Sequence, residues 1–99
     1  QELILQDKKI FIDVTADWCI TCKFNQIRSF GTNEIIEFFN INEIYYVKAD
    51  WTHYDDKITS LLAKYNRSGI PLYIYINQGK VTILPQLLSR TDIVEMVLE

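Results

Sequence analysis

The chain has 99 residues and a mass of 11.7 kDa, the size of one domain. Hydrophobic residues make up 48% of it, with only three glycines and two prolines, which excludes a disordered, collagen-like or low-complexity chain. A net charge of −3 leaves no basic footprint for nucleic acid or an anionic membrane, and two cysteines cannot build a multi-bridge disulfide scaffold.

In chain order, Gln1–Gln6 reads as the end of a helix and Asp7-Lys8-Lys9 as a turn. Ile10–Val14 is a short apolar, β-branched run, the pattern of a buried strand. From Cys19 to about Phe30 the pattern is helical, with Ile20, Phe24 and Ile27 at spacings of four and three. Gly31 and Thr32 interrupt it, and Asn33 is expected to cap a further helix through Ile35, Ile36, Phe38 and Phe39. Ile44–Ala49 is a second strand, and Asp55 or Asp56 opens a helix with Ile58, Leu61, Leu62 and Tyr65 on one face. Asn66–Gly69 ends that helix, and Leu72–Ile76 is a third strand. Asn77-Gln78-Gly79 is a tight turn into a fourth, antiparallel strand, Lys80–Leu84. Ser89 or Thr91 starts a last helix, with Ile93, Val94, Val97 and Leu98 expected inward. Alternating strands and helices followed by a hairpin predict an α/β domain with a mixed sheet and helices on both faces.

The longest apolar run, Ile70–Ile76, is far short of the ~20 residues that span a bilayer, so no direct membrane insertion of this segment is expected. Gln1 is not a methionine and no signal-peptide pattern follows it. Residues 1–99 are therefore expected to be a single domain taken from a longer protein.

The two cysteines form Cys19-Ile20-Thr21-Cys22, directly after a strand and at the start of a helix. A helix N-terminus presents unpaired N–H groups and the positive end of its dipole, which stabilise a thiolate. A cysteine so placed becomes a nucleophile near neutral pH, and its partner one turn on lies within reach of the mixed disulfide that forms. Competing readings are weaker. A closed zinc site takes about four ligands and His53 is the only other soft one, while a disulfide closing so short a loop removes little unfolded-state entropy. Redox exchange by Cys19 and Cys22 is thus preferred, with no metal and no cofactor expected, since the dithiol itself carries the two electrons.

Other residues attach to this motif. Trp18 precedes Cys19 at the surface turn and is expected to shield the thiol and offer a docking surface. Asp13 interrupts an apolar strand; pointing inward, its desolvated carboxyl could exchange a proton with a thiol. Pro71 follows Ile70 at the start of a strand, and an X–Pro bond is cis in only about 5–6% of cases, so composition alone favours trans. His53 reads as a solvated loop residue, Lys48 as facing solvent, and the Tyr45-Tyr46 and Tyr73/Tyr75 pairs as sheet packing.

The stretch Phe11-Ile12-Asp13-Val14-Thr15-Ala16-Asp17-Trp18-Cys19-Ile20-Thr21-Cys22-Lys23 resembles the active-site strand and helix start of the thioredoxin superfamily. Ala49-Asp50-Trp51-Thr52, Arg67-Ser68-Gly69-Ile70-Pro71-Leu72-Tyr73 and Leu84-Pro85-Gln86-Leu87-Leu88 extend the likeness to the C-terminal thioredoxin-like domain of the DsbD family of bacterial thiol:disulfide interchange proteins. The resemblance implies a thioredoxin fold, here without its usual first strand, in a periplasmic domain of a bacterial inner-membrane protein. It implies electrons taken from a transmembrane electron-donor domain of the same protein and passed to an N-terminal periplasmic acceptor domain or other disulfide-bonded proteins.

By position it makes Cys19 the attacking and Cys22 the resolving cysteine, Asp13 the buried acid, and Pro71, after Ile70, a cis-proline beside the disulfide. Two positions depart from the pattern. An acidic residue follows the second cysteine by four positions in relatives of this kind, where this chain has Gln26; the pair between the cysteines is Ile20-Thr21, not the Gly-Pro of thioredoxins. Two further functions share the motif: a disulfide oxidase or isomerase, separated by its potential, and a Cu(I) or zinc thiolate carrier, disfavoured because Met96 is the only methionine.

Overall fold

The computed structural model describes residues 8–98, so the helix end expected over Gln1–Gln6 lies outside the described residues. Four strands, β1 (Lys9–Thr15), β2 (Ile44–Asp50), β3 (Leu72–Asn77) and β4 (Lys80–Ile83), form one sheet in the order β2-β1-β3-β4. β2 runs parallel to β1, whereas β3 and β4 are antiparallel to their neighbours. The mixed sheet is the one the element order predicts. Lys9 belongs to β1 and not to a turn, because it pairs with both Ile44 and Asn77.

β1 is central and buried on both faces, and its period of two sorts its side chains. Ile10 and Val14 pack with Trp51, Leu62, Leu72, Ile74 and Ile76 beneath α3 (Asp56–Lys64). Phe11 packs on the opposite face with Phe30, Phe39, Tyr73, Tyr75, Ile93 and Met96. That face is covered by α1 (Ile20–Asn25), the π-helical turn that continues it (Gln26–Phe30), α2 (Asn33–Ile41) and α4 (Arg90–Leu98).

The helix expected from Cys19 to Phe30 therefore changes its winding at Gln26. Gly31 ends it because a Cβ there would stand 2.3 Å from the Gln26 carbonyl oxygen, which accepts the Gly31 N–H at 2.7 Å. The apolar spacing Ile20, Phe24, Ile27 lies on the solvent side, with Ile20 83% and Ile27 76% exposed, while Cys22, Asn25 and Ser29 are buried.

Thr32, not Asn33, caps α2: its hydroxyl accepts the Ile35 N–H, and Asn33 is already the first helical residue. Asp55 caps α3 through the N–H groups of Lys57 and Ile58. At α4, Ser89 and Asp92 exchange backbone-to-side-chain hydrogen bonds, the reciprocal arrangement that makes Ser89 rather than Thr91 the cap. Ile93 is buried as expected and Val97 packs partly against the core, but Leu98 is exposed and Met96 is buried in its stead, because the helix presents one narrow stripe to the sheet and Leu98 falls off its end. The β3–β4 turn places Gln78 and Gly79 at positive φ, the geometry a two-residue hairpin requires.

Candidate active site

The site is built at the C-terminal end of β1. The chain leaves the sheet at Thr15, and the Cys19 N–H closes a turn onto the Ala16 carbonyl at 3.1 Å. Cys19 is the N-cap of α1: its Sγ accepts the Cys22 N–H at 3.1 Å and its carbonyl accepts the Lys23 N–H. The sulfur that must carry negative charge when reduced thus already faces a helix N–H donor. Cys19 and Cys22 are joined as a disulfide with Cα atoms 5.3 Å apart. Both pack against Ala16 and the half-buried Ile70. Both cysteines are buried, Cys19 7% exposed and Cys22 2%.

The Ile70–Pro71 peptide is cis, as the resemblance implies and against the composition-based expectation. Pro71 is buried at the start of β3, and its carbonyl accepts from the Arg67 guanidinium at 3.3 Å.

Trp18 is 47% exposed, at the surface position the sequence predicts for it. Its indole N–H donates to the Thr52 carbonyl, and its ring stacks on Tyr54 at 5.7 Å and lies 6.0 Å from Trp51. The loop after β2 holds this turn from the side: the Thr52 hydroxyl accepts the Asp17 N–H at 2.9 Å and itself donates to Asp50. The Thr52 hydroxyl and the Thr52 backbone N–H both donate to Asp50 and hold its carboxyl below the usual carboxylate range. Trp51 anchors the loop through its N–H to the Thr15 carbonyl and its indole to Thr59. Thr52 and Tyr54 have no catalytic signature in the sequence; what marks them is that their loop follows the strand paired with β1.

Asp13 is 2% exposed and lies on the same face of β1 as Phe11. Burial raises its carboxyl above the ordinary carboxylate range, opposed by a hydrogen bond from Tyr46 and by the charge of Lys48. Lys48 is exposed and sits opposite Asp13 in the β1–β2 register. Tyr46 therefore does more than pack in the sheet, and its role was not legible from the chain because it depends on strand register. Asn25 is another residue sequence reasoning passes over. It is fully buried, donates to the Tyr73 hydroxyl at 2.8 Å and the Gln86 carbonyl at 2.7 Å, and accepts the Leu88 N–H at 3.1 Å. Ser29 adds a bond to the Leu88 carbonyl, so one helix face ties the cysteine helix to the segment after β4.

Gln26 is exposed at the start of the π-helical turn, along a groove shared with Phe30, Ile36 and Tyr46. His53 is exposed in the loop after β2. Among the described residues no group of three or more His, Cys, Asp or Glu is placed to hold a metal ion, and no helix is long and apolar enough to cross a membrane.

A cysteine pair bridged across the first turn of a helix, packed against Ile70 of the cis Ile70–Pro71 peptide and at the end of a strand that buries a carboxyl, defines a thiol–disulfide oxidoreductase site. The chain belongs to the thioredoxin-like family, whose model matches residues 1–78. It is similar to the thiol:disulfide interchange protein DsbD of Campylobacter jejuni, 24% identical over 98 residues that make up 98% of this chain and 17% of that protein. It is also similar to DsbD of Actinobacillus pleuropneumoniae, 26% identical over 74 residues, 75% of this chain and 12% of the relative. The chain thus spans less than a fifth of the length of the curated relatives it matches.

Its fold is that of the oxidised DsbD C-terminal domain of Neisseria meningitidis, with a TM-score of 0.75 at 22% identity over 93% of this chain and 79% of that one. Mitochondrial thioredoxin 3 of Saccharomyces cerevisiae superposes with a TM-score of 0.70 at 20% identity over 98% of this chain and 83% of that one.

Proposed function

We propose that this chain is a protein-disulfide reductase domain, which relays electrons from a membrane partner to disulfide-bonded proteins through Cys19 and Cys22. The observation that carries this reading is Cys19 as the cap of α1, its sulfur facing the Cys22 N–H. Reduced Cys19 attacks a partner disulfide as a thiolate. Cys22 then attacks Cys19 in the mixed disulfide, and both electrons pass to the partner as the Cys19–Cys22 bond forms. Asp13 takes up the proton of Cys22, while Trp18, Ile70 and Pro71 shape the surface the partner meets.

The DsbD likeness supports a single thioredoxin-like domain within a larger bacterial inner-membrane protein, facing the periplasm. Its donor would be a transmembrane domain of the same protein, and its acceptor an N-terminal periplasmic domain or another disulfide-bonded protein.

A Cys22→Ser variant, reduced and then offered a disulfide-bonded protein, is expected to accumulate a mixed disulfide on Cys19 that added thiol releases; no such adduct would refute the mechanism. Equilibration of the Cys19–Cys22 pair in graded thiol/disulfide buffers tests direction. A potential within or below the glutaredoxin range of about −200 to −230 mV supports a reductase, and one near −120 mV would make the domain an oxidase.

A further inference from the structure

The Asp13 carboxyl is held by one side chain. Tyr46 donates its hydroxyl to Oδ2, while Oδ1, equally buried, has no partner among the described residues. The phenol reaches Oδ2 because β1 and β2 are parallel, with Phe11 opposite Tyr46 and Asp13 two residues further on the same face. The Tyr46 ring is fixed from below, stacked on Phe11 at 6.1 Å with an interplanar angle of 17° and packed on Phe30 at 5.9 Å. Tyr46 is 44% exposed and lines the groove that Gln26 also lines.

The remaining groups that act on Asp13 are few. Lys48, its register partner on β2, is a cation at the exposed side. Tyr73, its register partner on β3, is neutral and has its hydroxyl occupied by Asn25 of α1. Cys19 and Cys22, packed with Ala16 beyond the end of β1, are uncharged while bridged. Burial and the adjacent carboxylate push the Tyr46 phenol far above the ordinary tyrosine range, so the hydroxyl keeps its proton and acts only as a donor.

We propose that Tyr46 is a positioning residue for Asp13: its hydroxyl anchors Oδ2 and favours the ionised carboxylate, leaving Oδ1 as the atom that receives the proton of Cys22. The inference rests on the disulfide-exchange reading above. In the resolving step the Cys22 proton passes to Oδ1 as the Cys22 sulfur attacks Cys19. The Cys19–Cys22 bond forms, the bond from Cys19 to the partner breaks, and the partner sulfur leaves with the electron pair and takes a proton from water. Asp13 returns its own proton to solvent afterwards. Tyr46 thereby lowers the pH at which Asp13 is ready to accept, acting together with the charge of Lys48 against the effect of burial.

Tyr46→Phe keeps the stack on Phe11 and Phe30 and removes only the donor. In the oxidised 99-residue chain, the Asp13 titration followed by the carboxyl carbon chemical shift is expected to move up by about one pH unit, a tenfold change in proton affinity. The rise in disulfide-reduction rate with pH is expected to move by the same amount, and in Asp13→Asn that step disappears with or without Tyr46→Phe. Replacing Tyr46 by 3-fluorotyrosine, a stronger donor of the same shape, is expected to move the midpoint down.

An Asp13 midpoint that stays put in both variants overturns the proposal and leaves the exchange reading intact. An unsubstituted chain that exchanges no disulfide overturns both.

Discussion

At the scale of single residues, the informative ones are those whose chemistry contradicts their surroundings. Asp13 is a carboxylate in a strand buried on both faces, and its pKa is raised chiefly by desolvation. The consequence for stability follows in sign. Between the unfolded carboxylate value near 3.9 and the higher native one, the native state holds more protons than the unfolded state, so stability falls as pH rises through that window and stays lower above it. Asp13→Asn is therefore expected to be more stable than the parent at neutral pH, by about 1–3 kcal/mol, with the difference vanishing below about pH 4; denaturant melts across that range measure it. The position of Asp13 within an apolar run made it visible in the sequence. Tyr46, whose hydroxyl holds it, looked like any aromatic of a strand, because a contact across a parallel ladder depends on a register that no local pattern encodes.

At the scale of elements, α1 and its π-helical continuation invert the usual amphipathic arrangement. Asn25 and Ser29 face the core while Ile20, Phe24 and Ile27 face solvent. Burial of Asn25 is tolerated because its amide is satisfied by Tyr73, Gln86 and Leu88. Asn25→Ala leaves those three groups short of a partner and is expected to cost about 2–4 kcal/mol. Ile27→Ser, at a 76% exposed position, is expected to change stability by no more than about 0.5 kcal/mol. Thermal or urea denaturation of the two variants side by side checks both. An apolar spacing of four and three identified a helix correctly here, yet it marked the outward side, because periodicity reports which residues share a face and not which way that face is turned.

At the scale of the whole molecule, the sheet is a frame that brings the ends of three strands to one place. β1 delivers the cysteines, the loop after β2 clamps Asp17 and Trp18 through Thr52, and β3 begins at the cis Ile70–Pro71 peptide. β1 and β3 each bond to a neighbour on both sides and carry the two core clusters between them. Their amides are expected to exchange with solvent only on global unfolding, whereas those of Trp18 to Cys22 exchange through local opening. Hydrogen exchange measured residue by residue would show the two rates merging if the site were instead part of the rigid core.

The sequence by itself determined the element order, the mixed sheet and the cysteine pair at a strand-to-helix junction. Each of these is written in local terms: periods of two and 3.6, turn residues, and a four-residue motif. The family resemblance added the cis state of Pro71, which the structure carries. Only the tertiary structure decided which helix faces are buried, that Leu98 lies outside the core, that Asn25 joins α1 to residues 86–88, and that Tyr46 reaches Asp13. The last two depend on contacts between residues 33 to 63 positions apart, and such contacts arise from how strands register and helices dock, which the spacing of neighbours along the chain does not specify.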